Sequence, residues 1–238
     1  MLRTFISGAS MLACLLVASA FGLAECKAQS QDFANFKRYA ADNRVLEEQG
    51  PVKGRVVFMG NSITEGWVRA DAAFFEKNGY VGRGISGQTS MQFLLRFRED
   101  VIKLRPEIVV INAGTNDVAE NTGAYVEDYT FGNIVSMVEL ASVNGIQVIL
   151  TSVLPAARFS WNASVTDAPQ KITALNKRIA EYASAEGIPY VNYYEALVAD
   201  DGRSLKAAYT KDGVHPTLEG YRVMEPLIKN AIEQVRDK

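Results

Sequence analysis

Histidine is almost missing from this chain: His215 is the only one in 238 residues, and the two cysteines, Cys14 and Cys26, both fall within the first 28. That scarcity excludes a zinc site built from several His and Cys side chains. A carboxylate and carbonyl site for a hard cation would need neither residue type, but no cluster of acidic residues suggests one, and no metal or other cofactor is expected. An excess of one charge is lacking too. Against 25 Lys and Arg stand 27 Asp and Glu, a formal charge of −2, so the basic surface that a phosphate backbone attracts is not encoded and nucleic acid is not an expected partner. Glycine and proline, at 18 and 7 residues without a period, exclude collagen-like and low-complexity chains. What remains is a chain 48% hydrophobic and 22% charged, near globular averages and long enough for a full core.

The longest apolar run lies at the start. Arg3 precedes Met11-Leu12-Ala13-Cys14-Leu15-Leu16-Val17, and small residues follow, the pattern of a secretory signal peptide over residues 1–28. Cleavage after Ala28 or after Ala24 fits the small residues there. A retained anchor is the competing reading. Cys26 also invites a lipoprotein reading, which Glu25 before it fits poorly. With cleavage after Ala28, the mature chain contains no cysteine and must be stable without disulfides. No later segment is apolar enough to span a bilayer. The expectation is an exported protein, periplasmic or extracellular, with no stable membrane insertion once the signal is removed.

Residues 29–238 read as one domain. Phe33, Phe36, Tyr39 and Ala40 recur at helical spacing and predict a leading amphipathic helix near 32–48, ending at Gly50-Pro51. Beyond it, short β-branched runs alternate with longer helical periods. Strands are predicted over 55–59, 80–84, 107–112, 147–153 and 189–193, and helices over 90–104, 124–144, 169–185 and 218–235. Such alternation predicts an α/β fold with a five-stranded parallel sheet covered on both faces. The stretch from Pro155 to Pro169, which carries Phe159 and Trp161, is long enough to be a functional loop.

In an open α/β sheet ligands bind beyond the carboxyl ends of the strands, so the residues just after each strand carry most information. After the first strand stands Gly60-Asn61-Ser62-Ile63-Thr64, where glycine permits a sharp exit and Ser62 falls near a helix N-terminus. A plain helix cap would use the same residues. After the second stands Gly82-Arg83-Gly84-Ile85-Ser86-Gly87-Gln88-Thr89, whose glycines let backbone N–H groups approach a bound anion or oxyanion, or simply form a flexible turn. After the third stands Gly114-Thr115-Asn116-Asp117, which an Asx turn would also explain. Before the last helix stands Asp212-Gly213-Val214-His215. A carboxylate three residues ahead of an imidazole can hold one ring nitrogen and leave the other free as a base, although a cap with a surface histidine is equally compatible with this block alone.

Taken together and in order, these four blocks resemble the SGNH hydrolases, the GDSL family of esterases and lipases, from Val56 to the last helix. The sequence also resembles members of platelet-activating-factor acetylhydrolase type and carbohydrate esterase members. On that resemblance Ser62 takes the nucleophile position, Gly87 and Asn116 the oxyanion positions together with the N–H of Ser62, and Asp212 and His215 the closing pair. Asn61 stands where the family has aspartate, Gly82 where it often has asparagine, and Gln88 where it often has aspartate. The resemblance implies a flavodoxin-like three-layer α/β/α sandwich and a cofactor-free serine esterase acting through an acyl-enzyme.

The expected substrate is a small-molecule or carbohydrate ester that loses acetyl or another short acyl group. Trp67, Phe159 and Trp161 are candidate rim aromatics for sugar stacking, or else core residues. A lysophospholipase or thioesterase is the alternative, and an exported carbohydrate-binding protein on a hydrolase scaffold the non-enzymatic one.

Overall fold

The computed structural model describes residues 32–237. Five strands, β1 (Val56–Gly60), β2 (Tyr80–Gly84), β3 (Ile108–Ile111), β4 (Gln147–Thr151) and β5 (Tyr190–Val191), pair in parallel in the order β2-β1-β3-β4-β5. This is the flavodoxin-like order, and its reversal between β1 and β3 opens a crevice at the carboxyl ends of those two strands. Helices α1 (Ala40–Glu48), α2 (Ser62–Ala70), α3 (Ala72–Asn78), α4 (Ser90–Asp100), α5 (Thr115–Val118), α6 (Glu127–Val143), α7 (Ala168–Ala185), α8 (Tyr193–Leu197) and α9 (Leu218–Arg236) surround the sheet.

Successive strand residues point to opposite faces, and here both faces are covered. Val57, Met59, Val109, Ile111, Val148 and Leu150 pack with Phe93 and Phe97 of α4, Met137 of α6 and Ile172 and Leu175 of α7. Their neighbours Val56, Phe58, Ile108, Val110 and Ile149 pack on the other side with Trp67 of α2, Phe75 of α3, Tyr193 of α8 and Met224 and Ile228 of α9. That double burial explains why β1 and β3 read as unbroken apolar runs.

The leading helix is shorter than the residue spacing predicts. Residues 32–39 form an irregular strap with a 3₁₀ turn at Phe36–Arg38, and the α-helix begins only at Ala40. Asn35 interrupts the helical path in the left-handed region at φ 54°, and Asp32 caps the short turn by accepting from the N–H groups of Phe36 and Lys37. The apolar spacing misled because Phe33 and Phe36 face outward, 46% and 43% exposed, while Ala34 between them is buried. The helix from Ser90 stops at Asp100, followed by a 3₁₀ turn at Ile102–Leu104. The last strand has only two residues. Four short helices, α2, α3, α5 and α8, fill connections for which the periodicity gives no span. The signal-peptide reading of residues 1–28, with cleavage after Ala28 or Ala24, lies outside the described residues. Among the described residues no helix is long and apolar enough to cross a membrane.

Candidate active site

The site begins where β1 meets α2. Asn61 caps α2 by accepting the N–H of Ile63 on its side-chain oxygen at 2.9 Å, so Ser62 becomes the first helical residue. The first N–H groups of a helix have no partner within it, which leaves the Ser62 amide unclaimed by α2. The end of β2 packs directly against the start of α2. A Cβ on Gly84 would stand 2.3 Å from the Glu65 nitrogen and 2.6 Å from the Asn61 oxygen, so only glycine lets β2 end against the start of α2.

His215 comes from the turn before α9, and its Nε2 lies 2.8 Å from Ser62 Oγ. Its Nδ1 lies 2.6 Å from Asp212 Oδ2. The other carboxylate oxygen of Asp212 accepts the main-chain N–H groups of Val214 at 2.9 Å and His215 at 2.8 Å, so the turn is wound around the carboxylate. Partial burial pushes the Asp212 carboxyl up, but the N–H of His215, its ring and the N–H of Val214 outweigh it and hold the group down at about 2. An ionised Asp212 keeps a proton on Nδ1 and leaves the Nε2 lone pair facing the serine hydroxyl.

Asn116 sits in α5, just past β3, and is buried. Its Nδ2 donates to the main-chain carbonyl of Gln88 at 2.9 Å. An amide nitrogen carries two hydrogens, so one is held on Gln88 and the second is available to the cleft that Asn116 lines. Gly87 lines the same cleft at φ +78°, a backbone conformation that costs glycine little. The structure thus brings together all five residues singled out in the sequence: Ser62, Gly87, Asn116, Asp212 and His215. The cleft itself holds about 320 Å³ and is lined by Ser62, Ser86, Gly87, Asn116, Asn121, Trp161 and His215.

The three candidate rim aromatics separate. Trp67 belongs to the core: it is 2% exposed and stacked between Phe74 and Tyr221, with ring centroids at 5.5 and 5.4 Å. Phe159 is buried beneath Trp161, 5.1 Å away. Trp161 alone faces the cleft, 45% exposed, with its ring centroid 6.2 Å from that of His215.

Sequence reasoning missed the residues that hold these parts in place. Asn121 accepts the indole N–H of Trp161 at 2.9 Å and donates to the Gly87 carbonyl at 3.0 Å. Glu65 accepts both the main-chain N–H and the hydroxyl of Ser86. Asp117, next to Asn116, accepts the N–H and hydroxyl of Ser90 at the start of α4, and burial pushes its carboxyl up. Asp117 stood inside a motif and could have been noted. Glu65 and Asn121 are ordinary surface residue types, and only the chain's folding places them.

The chain is similar to proteins of known family and fold. The model of the GDSL-like lipase/acylhydrolase family matches residues 58–223. A GDSL-like lipase of known structure from Bacteroides thetaiotaomicron is 67% identical, over 85% of this chain and 99% of that one, with a TM-score of 0.83. An acetylxylan esterase from Xylanibacter ruminicola is 21% identical over 75% of this chain, and the chain spans 43% of that protein's length. An acetylxylan esterase from Geobacillus stearothermophilus, 19% identical over 76% of this chain and 94% of that one, shares the fold with a TM-score of 0.60.

Proposed function

Because the chain belongs to the GDSL-like lipase/acylhydrolase family, a family of carboxylic ester hydrolases, we propose that it cleaves carboxylic esters through an acyl-enzyme on Ser62, removing acetyl or other short acyl groups from carbohydrates. The observation that carries the reading is the continuous relay from Asp212 through His215 to Ser62, at 2.6 and 2.8 Å, opening on a cleft that Asn116 and Gly87 line. Ser62 Oγ attacks the ester carbonyl carbon as His215 Nε2 takes its proton. The oxygen that becomes negative is met by the N–H groups of Ser62 and Gly87 and the free amide hydrogen of Asn116, donors already in place before charge develops. Collapse of the tetrahedral adduct expels the alcohol, which takes the proton from Nε2. A water then gives a proton to His215 and attacks the acyl group, and Ser62 leaves with that proton.

The lining supports a short acyl group. Among the described residues Trp161 is the one large apolar side chain on a cleft otherwise made of Ser, Gly, Asn and His, and a long acyl chain needs an extended apolar trough to leave water. That argues against the lysophospholipase and thioesterase alternative. The open face of Trp161 beside His215 suits the apolar face of a sugar ring in the leaving alcohol. Carriage outside the cytoplasm, read from residues 1–28, accords with a glycan substrate. A binding protein on a hydrolase scaffold has no need of the intact relay.

The test is Ser62→Ala assayed on p-nitrophenyl esters of increasing chain length and on acetylated xylo-oligosaccharides. Turnover is expected to fall by on the order of 10⁴-fold or more with the fold unchanged, and the wild type to favour acetate over octanoate. Retained turnover in the variant would exclude Ser62 as nucleophile, and a kcat/KM that rises with chain length would favour the lipid reading.

A further inference from the structure

The strap of residues 32–39 precedes the stretch that the family model matches, 58–223, yet its contacts converge on the loop that carries Gly87. The main-chain carbonyl of Ala34 accepts Gln88 Nε2 at 2.8 Å, and that of Phe33 accepts Gln92 Nε2 at 2.6 Å. The Tyr39 hydroxyl donates to the Gly84 carbonyl. Arg38 pairs with Glu65 at 3.1 Å, and Glu65 in turn holds the N–H and hydroxyl of Ser86. Residues 84, 86, 88 and 92 are therefore all tied, directly or through Glu65, to one short segment, and Gly87 lies among them.

Gln88 links the strap to chemistry. While its side-chain nitrogen binds the strap, its side-chain oxygen accepts Arg96 Nε at 2.6 Å, and the buried Arg96 also donates to the Gly60 carbonyl at 2.9 Å, two residues before Ser62. The main-chain carbonyl of the same Gln88 receives the Asn116 amide. A shift of Gln88 would thus move the donor at Gly87 and turn the donor at Asn116 together. Gly87 has no side chain to wedge it and sits in a conformation other residues avoid, so its position depends on outside ties, these to its neighbours and the Asn121 bond to its own carbonyl. The strap itself is stiffened by the Asp32 cap and by burial of Ala34.

We propose that the strap of residues 32–39 is a positioning element for the oxyanion hole, acting through Gln88, Gln92 and the Arg38–Glu65–Ser86 link. The inference rests on the esterase reading above, since it assigns the strap a part in stabilising that reaction's oxyanion.

Three variants of the full chain test it. Gln92→Glu keeps the side-chain oxygen that caps the Thr89 N–H but replaces the donor to Phe33 with a carboxylate that repels the carbonyl. Arg38→Ala opens the Glu65 link at an exposed site, and Ala34→Leu levers the strap outward. Each is measured for kcat and KM on p-nitrophenyl acetate, and for backbone hydrogen exchange, alone and combined with Asn116→Ala. Expected are a fall in kcat of about tenfold with KM within about twofold, faster exchange confined to residues 84–92, and a clearly smaller fall in the Asn116→Ala background. The proposal is overturned if exchange over 84–92 is unchanged, if it rises and kcat does not fall, or if the fold-loss is the same in both backgrounds. Should Ala34→Leu fail to fold, the two milder variants decide the matter. An active Ser62→Ala enzyme would instead defeat the nucleophile assignment, a result separate from these.

Discussion

Asn116 and Gln88 are joined side chain to main chain: the Asn116 amide lies 2.9 Å from the Gln88 carbonyl, so the residue after Gly87 sets the orientation of the donor contributed by α5. That bond joins Asn116 of α5 to the segment carrying Gly87, 28 residues earlier in the chain. Asn116→Ala is expected to lower kcat by on the order of 10²- to 10³-fold with KM little changed, as for a donor whose bond strengthens in the transition state. Asn116→Asp should be at least as damaging, because a carboxylate faces the developing negative charge. Steady-state kinetics on p-nitrophenyl acetate check both, and a change in KM alone would make Asn116 a ground-state binding residue.

The pH profile follows from Asp212. Held at about 2 against an ordinary 3.8, this carboxyl contributes stability that is full above its unfolded value and is lost only as pH falls toward its folded one. It therefore stays ionised throughout an assay from about pH 5 to 9 and contributes no acid limb to kcat/KM there, so the anionic partner of His215 is present across that whole window. Asp212→Asn should lower kcat by on the order of 10³- to 10⁴-fold, since the imidazolium loses its anionic partner and the ring its preferred tautomer. An Asp212→Asn enzyme that keeps the wild-type kcat in steady-state kinetics would remove Asp212 from the relay.

Trp161 separates binding of the alcohol from chemistry. Trp161→Ala is expected to raise KM for an acetylated xylo-oligosaccharide about threefold to tenfold, in line with the loss of one aromatic contact. With p-nitrophenyl acetate, which offers no sugar ring, KM should change much less. Equal effects on the two substrates would place Trp161 among the supports of His215 rather than in a sugar subsite.

Two glycines with opposite surroundings make a matched pair. Gly84→Ala puts a methyl group against the backbone of Asn61 and Glu65 and should cost about 1–3 kcal/mol in urea unfolding while also displacing Ser62, so activity falls with stability. Gly132→Ala, in an exposed interior turn of α6 with nothing within 4 Å of the added carbon, should instead raise stability by about 0.5–1 kcal/mol with activity unchanged.

The amino-acid sequence by itself determined the strands, the parallel arrangement and the identities of the five convergent residues. Val56 to Met59 and Ile108 to Ile111 are apolar without alternation because both sides of a parallel sheet are buried, and that pattern is local enough to read from the chain. His215 needed no neighbours to be singled out, since no other histidine is present. The extent of the leading helix was not legible: helical spacing at Phe33 and Phe36 says nothing about which side meets the core, and the strap packs through Ala34 while both rings face outward. Nor was the fate of three aromatics, because Trp67, Phe159 and Trp161 are equally apolar in sequence, and only the packing of α3 and α9 around the first and the surface position of the last separates core from cleft. The same holds for Glu65, Gln88 and Asn121. Their roles are hydrogen bonds to main-chain or side-chain groups 21, 54 and 34 residues away, and such partners exist only after the sheet has brought the loop ends together.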